Sequence, residues 1–386
     1  MKLLHTADWH VGKQLRGRSR LDEHRRVLAE IAKVAADEQV DVVLVVGDLF
    51  ETTAPTPDAQ RVVWDALLGL RATGAEVVAV AGNHDNAFGF DAFRPLCAAA
   101  GITLLGHPAP ADAGGVVALT ASDGTPVRIG LLPFVSQRYA VRAHELFELT
   151  SAGAVGEYAS TIREMIAALE GGFDADAVNV LAVHATVANA QLGGGEREAQ
   201  TIFDYYVPPT VFPASAHYVA LGHLHRTQAV PAAPPAWYSG SPIQVDFGEG
   251  QDDKHVLIVD AQPRSRAVVR TVRLTTPDTL RTVRGTIGDL EAGAESYGDA
   301  WLRVVVQEAP RAGLAEEVRS LLPRAVDVRV ESPDPLDGSD ARLPTRIGRA
   351  PNELFGEFLT DRGINDRRLV ALFQELLDDA THEVHA

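Results

Sequence analysis

The strongest constraint on the fold is an alternation of short apolar runs with amphipathic helical stretches through the first 275 residues. Val40–Val46 is rich in β-branched residues, as in strands buried on both faces. Apolar residues recur at helical spacing in Leu21–Asp37 and in Asp58–Ala72, and Thr56–Pro57 is typical of a helix start. A third helix is predicted over Ala92–Ala100. This alternation predicts an α/β protein in which helices cover largely parallel sheets.

Length and composition narrow the class of protein. The 386 residues fit two or three compact units. Hydrophobic residues make up 46% and charged residues 23%, which excludes a disordered or fibrous chain. The single cysteine, Cys97, excludes an internal disulfide framework and a cysteine-based zinc site, and we expect it to pack as a small apolar side chain.

Charge and hydropathy bear on partners and location. No apolar run approaches the roughly 18 residues that a membrane span needs. Asp8 and His10 stand where a signal peptide would carry its apolar core, so we expect a cytoplasmic protein with no membrane partner. The net charge of −17 argues against indiscriminate binding of polyanions, although cations held locally would still allow a phosphate ester as substrate.

The pattern of the chain changes near residue 276 and predicts four segments. Residues 1–275 form the main domain, and residues 276–331 form a compact β-β-α-β unit. Residues 332–351, rich in Pro, Asp, Gly and Arg, are typical of a linker. Residues 352–380 contain two short amphipathic helices separated by Gly363. These helices are too short to form a core alone, so their apolar stripes must pack on the main domain or on another protein.

Five polar clusters stand at the ends of the predicted strands. They are Asp8-Trp9-His10, Gly47-Asp48, Gly82-Asn83-His84-Asp85, His184 and Gly222-His223-Leu224-His225. Because ligand sites of α/β sheets gather beyond the carboxyl ends of the strands, we expect the clusters to converge. Imidazole, carboxylate and amide donors suit divalent metals such as Mn, Fe and Zn.

The number of candidate ligands favours two metal ions over one. Seven side chains exceed the capacity of a four-coordinate ion but fit two ions that share a carboxylate. Such a pair stabilises both the attacking and the leaving oxygen in a phosphoryl displacement. Each cluster alone is weak evidence, since 13 histidines make chance pairs common, and only the ordered set is specific.

This ordered set, D-x-H, G-D, G-N-H-[DE], H and G-H-x-H, resembles the calcineurin-like metallophosphoesterase superfamily. Longer matches make the whole chain similar to the nuclease subunits of bacterial DNA-repair complexes in that superfamily; they are His5–Gly12, Gly47–Phe50, Ala81–Asp85 and Tyr238–Pro242. The resemblance implies a two-sheet β-sandwich flanked by helices, a small α+β capping domain over 276–331, and a C-terminal helix-loop-helix over 352–380.

The resemblance also implies roles for individual residues. One metal would be held by Asp8, His10 and His225, the other by Asn83, His184 and His223, with Asp48 between them. His84 would be a catalytic residue that reaches the scissile phosphate or the leaving group and does not bind metal directly. Asp85 would either orient His84 or merely cap a turn.

The implied activity is that of a DNA double-strand exonuclease and a single-strand and hairpin endonuclease that uses two divalent ions, with manganese favoured. The implied partners are DNA, a coiled-coil ATPase that binds segment 352–380, and a second copy of the chain within a heterotetramer. The candidate residues for the contact between the two copies are Val62, Val63, Leu67, Phe93 and Leu96. Packing in the core of the chain is the alternative explanation for these residues. The alternative function is a small-molecule phosphodiesterase, which leaves the capping unit and terminal helices unexplained; a non-catalytic scaffold predicts eroded ligands.

One basic segment and one departure from the family pattern bear on DNA binding. Lys13, Arg16, Arg18 and Arg20 follow the first metal motif and are candidates to contact the DNA backbone; a solvated loop is the alternative. Glu51 stands where archaeal and eukaryotic relatives have a second histidine. A carboxylate cannot replace a cation beside a phosphate, so we do not expect Glu51 to take over a role of that histidine in steering the nucleic acid end.

Overall fold

The computed structural model describes residues 1–136, 158–193, 206–249 and 253–331, together with four single residues, Phe355, Leu359, Leu369 and Phe373. The chain divides into two compact units, Met1–Ser332 and Pro333–Ala386. The predicted linker, residues 332–351, lies outside the described residues.

The elements of the first unit are as follows. Its strands are β1 (Lys2–Thr6), β2 (Gln14–Leu15), β3 (Arg18–Ser19), β4 (Val42–Val46), β5 (Glu76–Val80), β6 (Ile102–Leu105), β7 (Val116–Thr120), β8 (Pro126–Leu132), β9 (Val178–His184), β10 (Thr186–Val187), β11 (Tyr206–Val207), β12 (Tyr218–Gly222), β13 (Gln228–Val230), β14 (Ala236–Tyr238), β15 (His255–Asp260), β16 (Val268–Arg273), β17 (Leu280–Gly285), β18 (Trp301–Val306) and β19 (Ala325–Val330). Its helices are α1 (Leu21–Asp37), α2 (Pro57–Ala72), α3 (Ala87–Ala99), α4 (Tyr158–Glu170), α5 (Ile287–Gly293) and α6 (Leu314–Leu321).

Two six-stranded sheets build the main domain. The first has the order β16-β15-β1-β4-β5-β6, and the second has the order β13-β14-β12-β9-β8-β7. In each sheet four neighbouring strands are parallel: β1, β4, β5 and β6 in the first, and β14, β12, β9 and β8 in the second. The parallel strands of both sheets carry the predicted polar clusters at their carboxyl ends.

The sheets stack into a sandwich with helices outside. Side chains such as Leu44 and Val78 from the first sheet and Ile129 and Val180 from the second fill the space between them. Helices α1, α2 and α3 pack on the outer face of the first sheet, and α4 packs on that of the second. The prediction of a two-sheet α/β sandwich flanked by helices is confirmed.

The helix boundaries agree with the sequence signals except at α3. Helix α1 spans the predicted Leu21–Asp37, and the Thr56 side chain caps α2 by accepting from the Ala59 N–H. Helix α3 begins five residues before the predicted start, at Ala87, because the Asn86 side chain caps it by accepting from the Gly89 N–H. The Asn83–Asp85 cluster therefore leads almost directly into a helix.

The segment 276–331 forms a separate three-stranded parallel sheet, β17-β18-β19, with its own apolar core. The predicted β-β-α-β order was wrong, since helix α5 lies between its first two strands. A reciprocal capping box between Thr286 and Asp289 starts this helix.

In the second unit, Phe355, Leu359, Leu369 and Phe373 are helical, and the rings of Phe355 and Phe373 stack with centroids 4.1 Å apart. The remainder of the predicted helix-loop-helix lies outside the described residues. Among the described parts of the chain, no helix has the length and apolar character that crossing a membrane requires.

Candidate metal centre

The five polar clusters meet at one edge of the sandwich. The loops after β1, β4 and β5 of the first sheet face the end of β9 and the loop after β12 of the second. Metal-ligand atoms there form three overlapping groups, each within 4.8 Å: Asp8, His10 and His225; His10, Asp48 and His84; and Asp48, His184 and His223. The fold therefore brings together residues that are up to 217 positions apart.

The first group combines Asp8 and His10 from the loop after β1 with His225 from the loop after β12. Asp8, His10 and His225 are almost entirely buried. The Asp8 carboxylate accepts from the backbone N–H of His223 through both oxygens, at 2.9 and 3.1 Å. The Nε2 atoms of His10 and His225 lie 3.0 Å apart. Three potential metal ligands thus lie within 4.8 Å of one another.

The two histidines of the third group, His184 and His223, contact the Asn83 side chain. Its Oδ1 atom lies 3.0 Å from His184 Nε2 and 2.8 Å from His223 Nδ1. The other ring nitrogen of His184 faces the carbonyl oxygen of Val46 at 2.9 Å, which fixes the ring orientation.

Asp48 lies between the histidines of the first group and those of the third. Its Oδ2 atom is 3.8 Å from His10 Nε2 and 3.5 Å from His184 Nε2. Its Oδ1 atom accepts from the backbone N–H of His84 at 2.7 Å. One carboxylate therefore faces both groups of imidazoles.

The loops that carry these residues adopt strained backbone conformations. Asp8, His10, Asp48 and His223 have positive φ values of 53°, 48°, 52° and 104°. Such conformations are costly for residues other than glycine and cluster at functional sites. At Gly47, which also has positive φ, a Cβ atom would lie 2.1 Å from His184 Nδ1, so no side chain fits there.

The donor set fits divalent cations. Burial is the main cause that raises the pKa of Asp8, to about 7, since a carboxylate is poorly stabilised away from water. A cation beside Asp8 would remove this penalty. Buried imidazole, carboxylate and amide oxygen donors together match the ligands that first-row divalent metals prefer.

The rings of His10 and His225 each form a hydrogen bond with a carboxylate through Nδ1. His10 Nδ1 lies 3.0 Å from Glu51 Oε2, and His225 Nδ1 lies 3.0 Å from Glu249 Oε1. Because an ionised carboxylate only accepts, each Nδ1 donates, and each neutral ring presents the lone pair of Nε2. Two such nitrogens 3.0 Å apart need a cation between them, either a proton or a metal ion.

Both carboxylates are held in the ionised form. Burial raises the pKa of Glu249, but the Lys254 ammonium and the hydrogen bond with His225 outweigh it and bring the pKa to about 2. Burial acts likewise on Glu51, where His10 and Lys13 together lower the pKa to about 2. No sequence signal pointed to Glu249, which lies in a short 3-10 turn outside every motif.

His84 and Asp85 follow Asn83 but have different contacts. His84 Nδ1 lies 2.7 Å from the carbonyl oxygen of Glu51, and its ring packs edge-on against that of His10. The Asp85 carboxylate accepts from the backbone N–H groups of Gly82, Leu49 and Phe50. These three bonds tie together the loops after β4 and β5, which favours the alternative of a structural role for Asp85 over the orientation of His84.

Arg20 differs from the other basic residues predicted to contact DNA. Its side chain is buried and forms a bidentate ion pair with Glu23 at 2.7 and 2.8 Å, and it also donates to the carbonyl oxygen of Gln244. A guanidinium used in this way cannot reach a phosphate. The prediction that Arg20 contacts DNA is therefore corrected to a structural role.

Lys13, Arg16 and Arg18 lie nearer the surface, on and beside the β2–β3 hairpin. Their partners are, in the same order, the Glu51 carboxylate at 2.8 Å, the Asp327 carboxylate at 3.0 Å and the Trp301 ring at 5.4 Å. Arg16 and Arg18 thus contact the capping sheet and remain exposed.

Comparisons with known proteins identify the family of the chain. Residues 1–226 match the family described as Calcineurin-like phosphoesterase. Three curated relatives are named as SbcD, a component of the nuclease SbcCD. They are from Bacillus subtilis (31% identical, covering 99% of both chains), Rhodobacter capsulatus (33%, 70% of both) and Escherichia coli K12 (28%, 80% of this chain and 76% of the relative).

Among solved structures, a dimetal phosphatase from Danio rerio aligns at 12% identity with a TM-score of 0.43, covering 71% of this chain and 96% of that one. The family match covers more than half of the chain, and the Bacillus relative matches almost all of it. The chain therefore belongs to the calcineurin-like phosphoesterases and, among them, to the SbcD family of nuclease subunits.

Proposed function

We propose that this chain is the nuclease subunit of an SbcCD-type complex and hydrolyses phosphodiester bonds of DNA in repair and recombination. It would act as a double-strand exonuclease and as an endonuclease on single strands and hairpins. The observation that carries the proposal is the convergence of Asp8, Asp48 and five further metal-ligand side chains at one sheet edge of a chain whose relatives bear that name.

The proposed ligands divide into two sets. One ion would be held by Asp8, His10 and His225, the other by Asn83, His184 and His223, with Asp48 shared. Two divalent ions bound there, for which we propose Mn²⁺, would activate water and stabilise the charge that develops on the phosphoryl and leaving oxygens. The chain itself holds most of these metal ligands in place. The histidines His10, His184 and His225 are held by hydrogen bonds through Nδ1, and the Asp8 carboxylate is held by a backbone N–H group.

His84 is the proposed catalytic residue. The carbonyl oxygen of Glu51 can only accept, so Nδ1 of His84 carries a proton, and Nε2 is the nitrogen assigned to the substrate. At that position a protonated ring would donate to the leaving oxygen and stabilise its charge. His84, His10 and Asp48 have potential ligand atoms within 4.8 Å of one another, and the test of this role must therefore include metal content.

For DNA contacts we propose Arg16 and Arg18, with Lys13 at the border of the metal centre. Arg16 and Arg18 are exposed and lie between the loop after β1, which carries proposed metal ligands, and the capping sheet. Residues 276–331 carry seven arginines against ten acidic residues, so they offer little electrostatic attraction of their own. We therefore propose that an SbcC-type coiled-coil ATPase supplies much of the grip on DNA, docked on residues 352–380, in the cytoplasm and at the nucleoid.

A homodimer is the proposed assembly, within a heterotetramer with the ATPase, and α3 carries the residues of its contact. Phe93 and Leu96 are 40% and 68% exposed, and they lie on one helix beside Phe88, which is 79% exposed. The other candidates, Val62, Val63 and Leu67, pack in the core of the main domain instead, so they are removed from the proposed contact.

The experiment compares two substrates side by side, a DNA hairpin and bis-p-nitrophenyl phosphate, with added Mn²⁺. Each is tested with and without an SbcC-type ATPase and ATP. Hairpin cleavage that depends on the ATPase and ATP supports the nuclease-subunit function. Turnover of the small ester with DNA untouched under all conditions would point to a small-molecule phosphodiesterase.

A further inference from the structure

The histidine His225 is connected to a buried ion pair that no catalytic motif contains. Glu249 Oε1 accepts from His225 Nδ1 at 3.0 Å, and Glu249 Oε2 accepts from Lys254 Nζ at 2.6 Å. Lys254 also donates to Ser241 Oγ at 3.0 Å. Glu249 and Lys254 are 6% and 7% exposed, so these contacts are shielded from water.

His10 is connected to a second ion pair of the same kind. Glu51 Oε2 accepts from His10 Nδ1 at 3.0 Å, and Glu51 Oε1 accepts from Lys13 Nζ at 2.8 Å. Glu51 and Lys13 are partly exposed, unlike Glu249 and Lys254. Two histidine–carboxylate–lysine chains from different parts of the sequence thus end at the same pair of Nε2 atoms, 3.0 Å apart.

The arrangement controls both the orientation and the protonation of the two rings. A carboxylate that accepts from Nδ1 fixes the ring, keeps the proton away from Nε2 and increases the basicity of Nε2 as a ligand. The lysines compensate the charge of the carboxylates, since a buried carboxylate without a partner is strongly destabilising. The other proposed metal position, formed by Asn83, His184 and His223, differs in this respect. There His184 Nδ1 faces the uncharged carbonyl of Val46.

We infer that Glu249 and Glu51 are positioning residues for one metal position, the one formed by Asp8, His10 and His225, and that they raise its affinity selectively. The inference rests on the proposed ligand set and deepens it. It also assigns a purpose to Glu51, which stands in place of the family's second histidine: its side chain turns to a metal ligand instead of the substrate.

The test is a Mn²⁺ titration of the full-length, metal-stripped protein, in which free Mn²⁺ is measured by its EPR signal. Glu249→Gln keeps the size of the side chain but removes the charge and places an amide against Lys254. We expect the affinity of one of two binding steps to fall by about 10-fold or more, as is typical when such partners of metal-ligating histidines are lost. Glu51→Gln should weaken the same step, and it serves as the second variant if Glu249→Gln fails to fold.

The matched control is Glu76→Gln, the same chemical change at a surface ion pair with Arg71. The control should bind two Mn²⁺ ions as the wild type does. The Mn²⁺-induced rise in melting temperature should shrink in both test variants, because that rise follows the affinity for the folded state.

Unchanged Mn²⁺ affinities in Glu249→Gln and Glu51→Gln would overturn the inference, even if the metal-free proteins melt at lower temperature, since that combination describes a purely structural role. A wild-type protein that binds fewer than two Mn²⁺ ions would instead overturn the proposed ligand set itself.

Discussion

His84 Nδ1 lies 2.7 Å from the main-chain carbonyl oxygen of Glu51, while the side chain of the same glutamate holds His10. Glu51, which directly follows the G-D-L-F segment, thus orients both the proposed metal ligand His10 and the proposed catalytic residue His84. Because the contact to His84 uses the backbone, it survives substitution of the Glu51 side chain. The two histidines can therefore be tested separately.

His84→Gln should reduce Mn²⁺-dependent cleavage of DNA and of bis-p-nitrophenyl phosphate by about 10²–10⁴-fold, the range expected for a lost acid–base group. Metal content should stay unchanged, because the backbone N–H that bonds to Asp48 remains. Steady-state rates and elemental analysis measure the two quantities. His107→Gln, at a partly exposed histidine that pairs with Asp91, is the control and should keep full activity. Loss of metal together with activity would make His84 a ligand instead.

Asp85→Ala should destabilise the fold in addition to lowering activity. Three backbone N–H groups lose their acceptor, and each buried donor left unpaired costs about 1–3 kcal/mol. We expect a clear fall in the melting temperature of the metal-free protein, measured by calorimetry. An unchanged melting temperature with strongly reduced activity would restore the idea that Asp85 acts only through His84.

The fold was predictable where the signal is local. The helical spacing of Leu21–Asp37 and the cap at Thr56 depend on neighbouring residues, so one stretch of sequence contains the information. The convergence of the polar clusters was also predictable, because parallel strands must end at a common edge. Helix α5 was missed although its Thr286–Asp289 capping box was present in the sequence.

The residues behind the site were not predictable in the same way. Glu249 meets His225 across 24 positions, from a turn with no periodic pattern and no motif. Arg20 was predicted to contact the DNA backbone, yet it is buried because Glu23, one helical turn later, neutralises it. Such contacts are decided by packing in three dimensions, and charge counted along the chain cannot separate a buried ion pair from an exposed cation.

Arg20→Met should therefore reduce the stability of the fold, whereas Arg16→Met should reduce DNA binding. Arg20→Met leaves Glu23 buried without its partner and should cost about 3–5 kcal/mol of unfolding free energy. Arg16→Met removes an exposed cation, so it should leave stability within about 0.5 kcal/mol. It should also weaken DNA binding and reduce the salt slope by about 1. Urea unfolding and DNA anisotropy at several salt concentrations check both; a reduced salt slope only in Arg20→Met would reverse the assignment.

His5 should make the fold sensitive to acid. The ring is fully buried against Tyr218, and burial lowers its pKa to about 3, far below the roughly 6.5 of an unfolded chain. The unfolded state then binds more protons below pH 6.5, and stability falls as the pH drops toward 3. Between pH 7.5 and 5.5 this one group contributes a loss of about 1.4 kcal/mol. His5→Gln should reduce the difference between urea unfolding curves at the two pH values by that amount; an equal difference would show that His5 is not responsible.

Removal of residues 352–386 should separate chemistry from assembly. The proposed ligands all lie in Met1–Ser332, which has its own cores, so Mn²⁺-dependent hydrolysis of bis-p-nitrophenyl phosphate should persist within about two-fold. Co-purification with the SbcC-type ATPase should be lost, because the apolar stripes of the terminal helices are its proposed docking site. Leu369→Asp, at a helical residue that is 38% exposed, is the milder variant and should weaken the same complex. Undiminished co-purification of the truncated chain would move the ATPase contact into the first unit and return the terminal helices to the alternative of packing on their own chain.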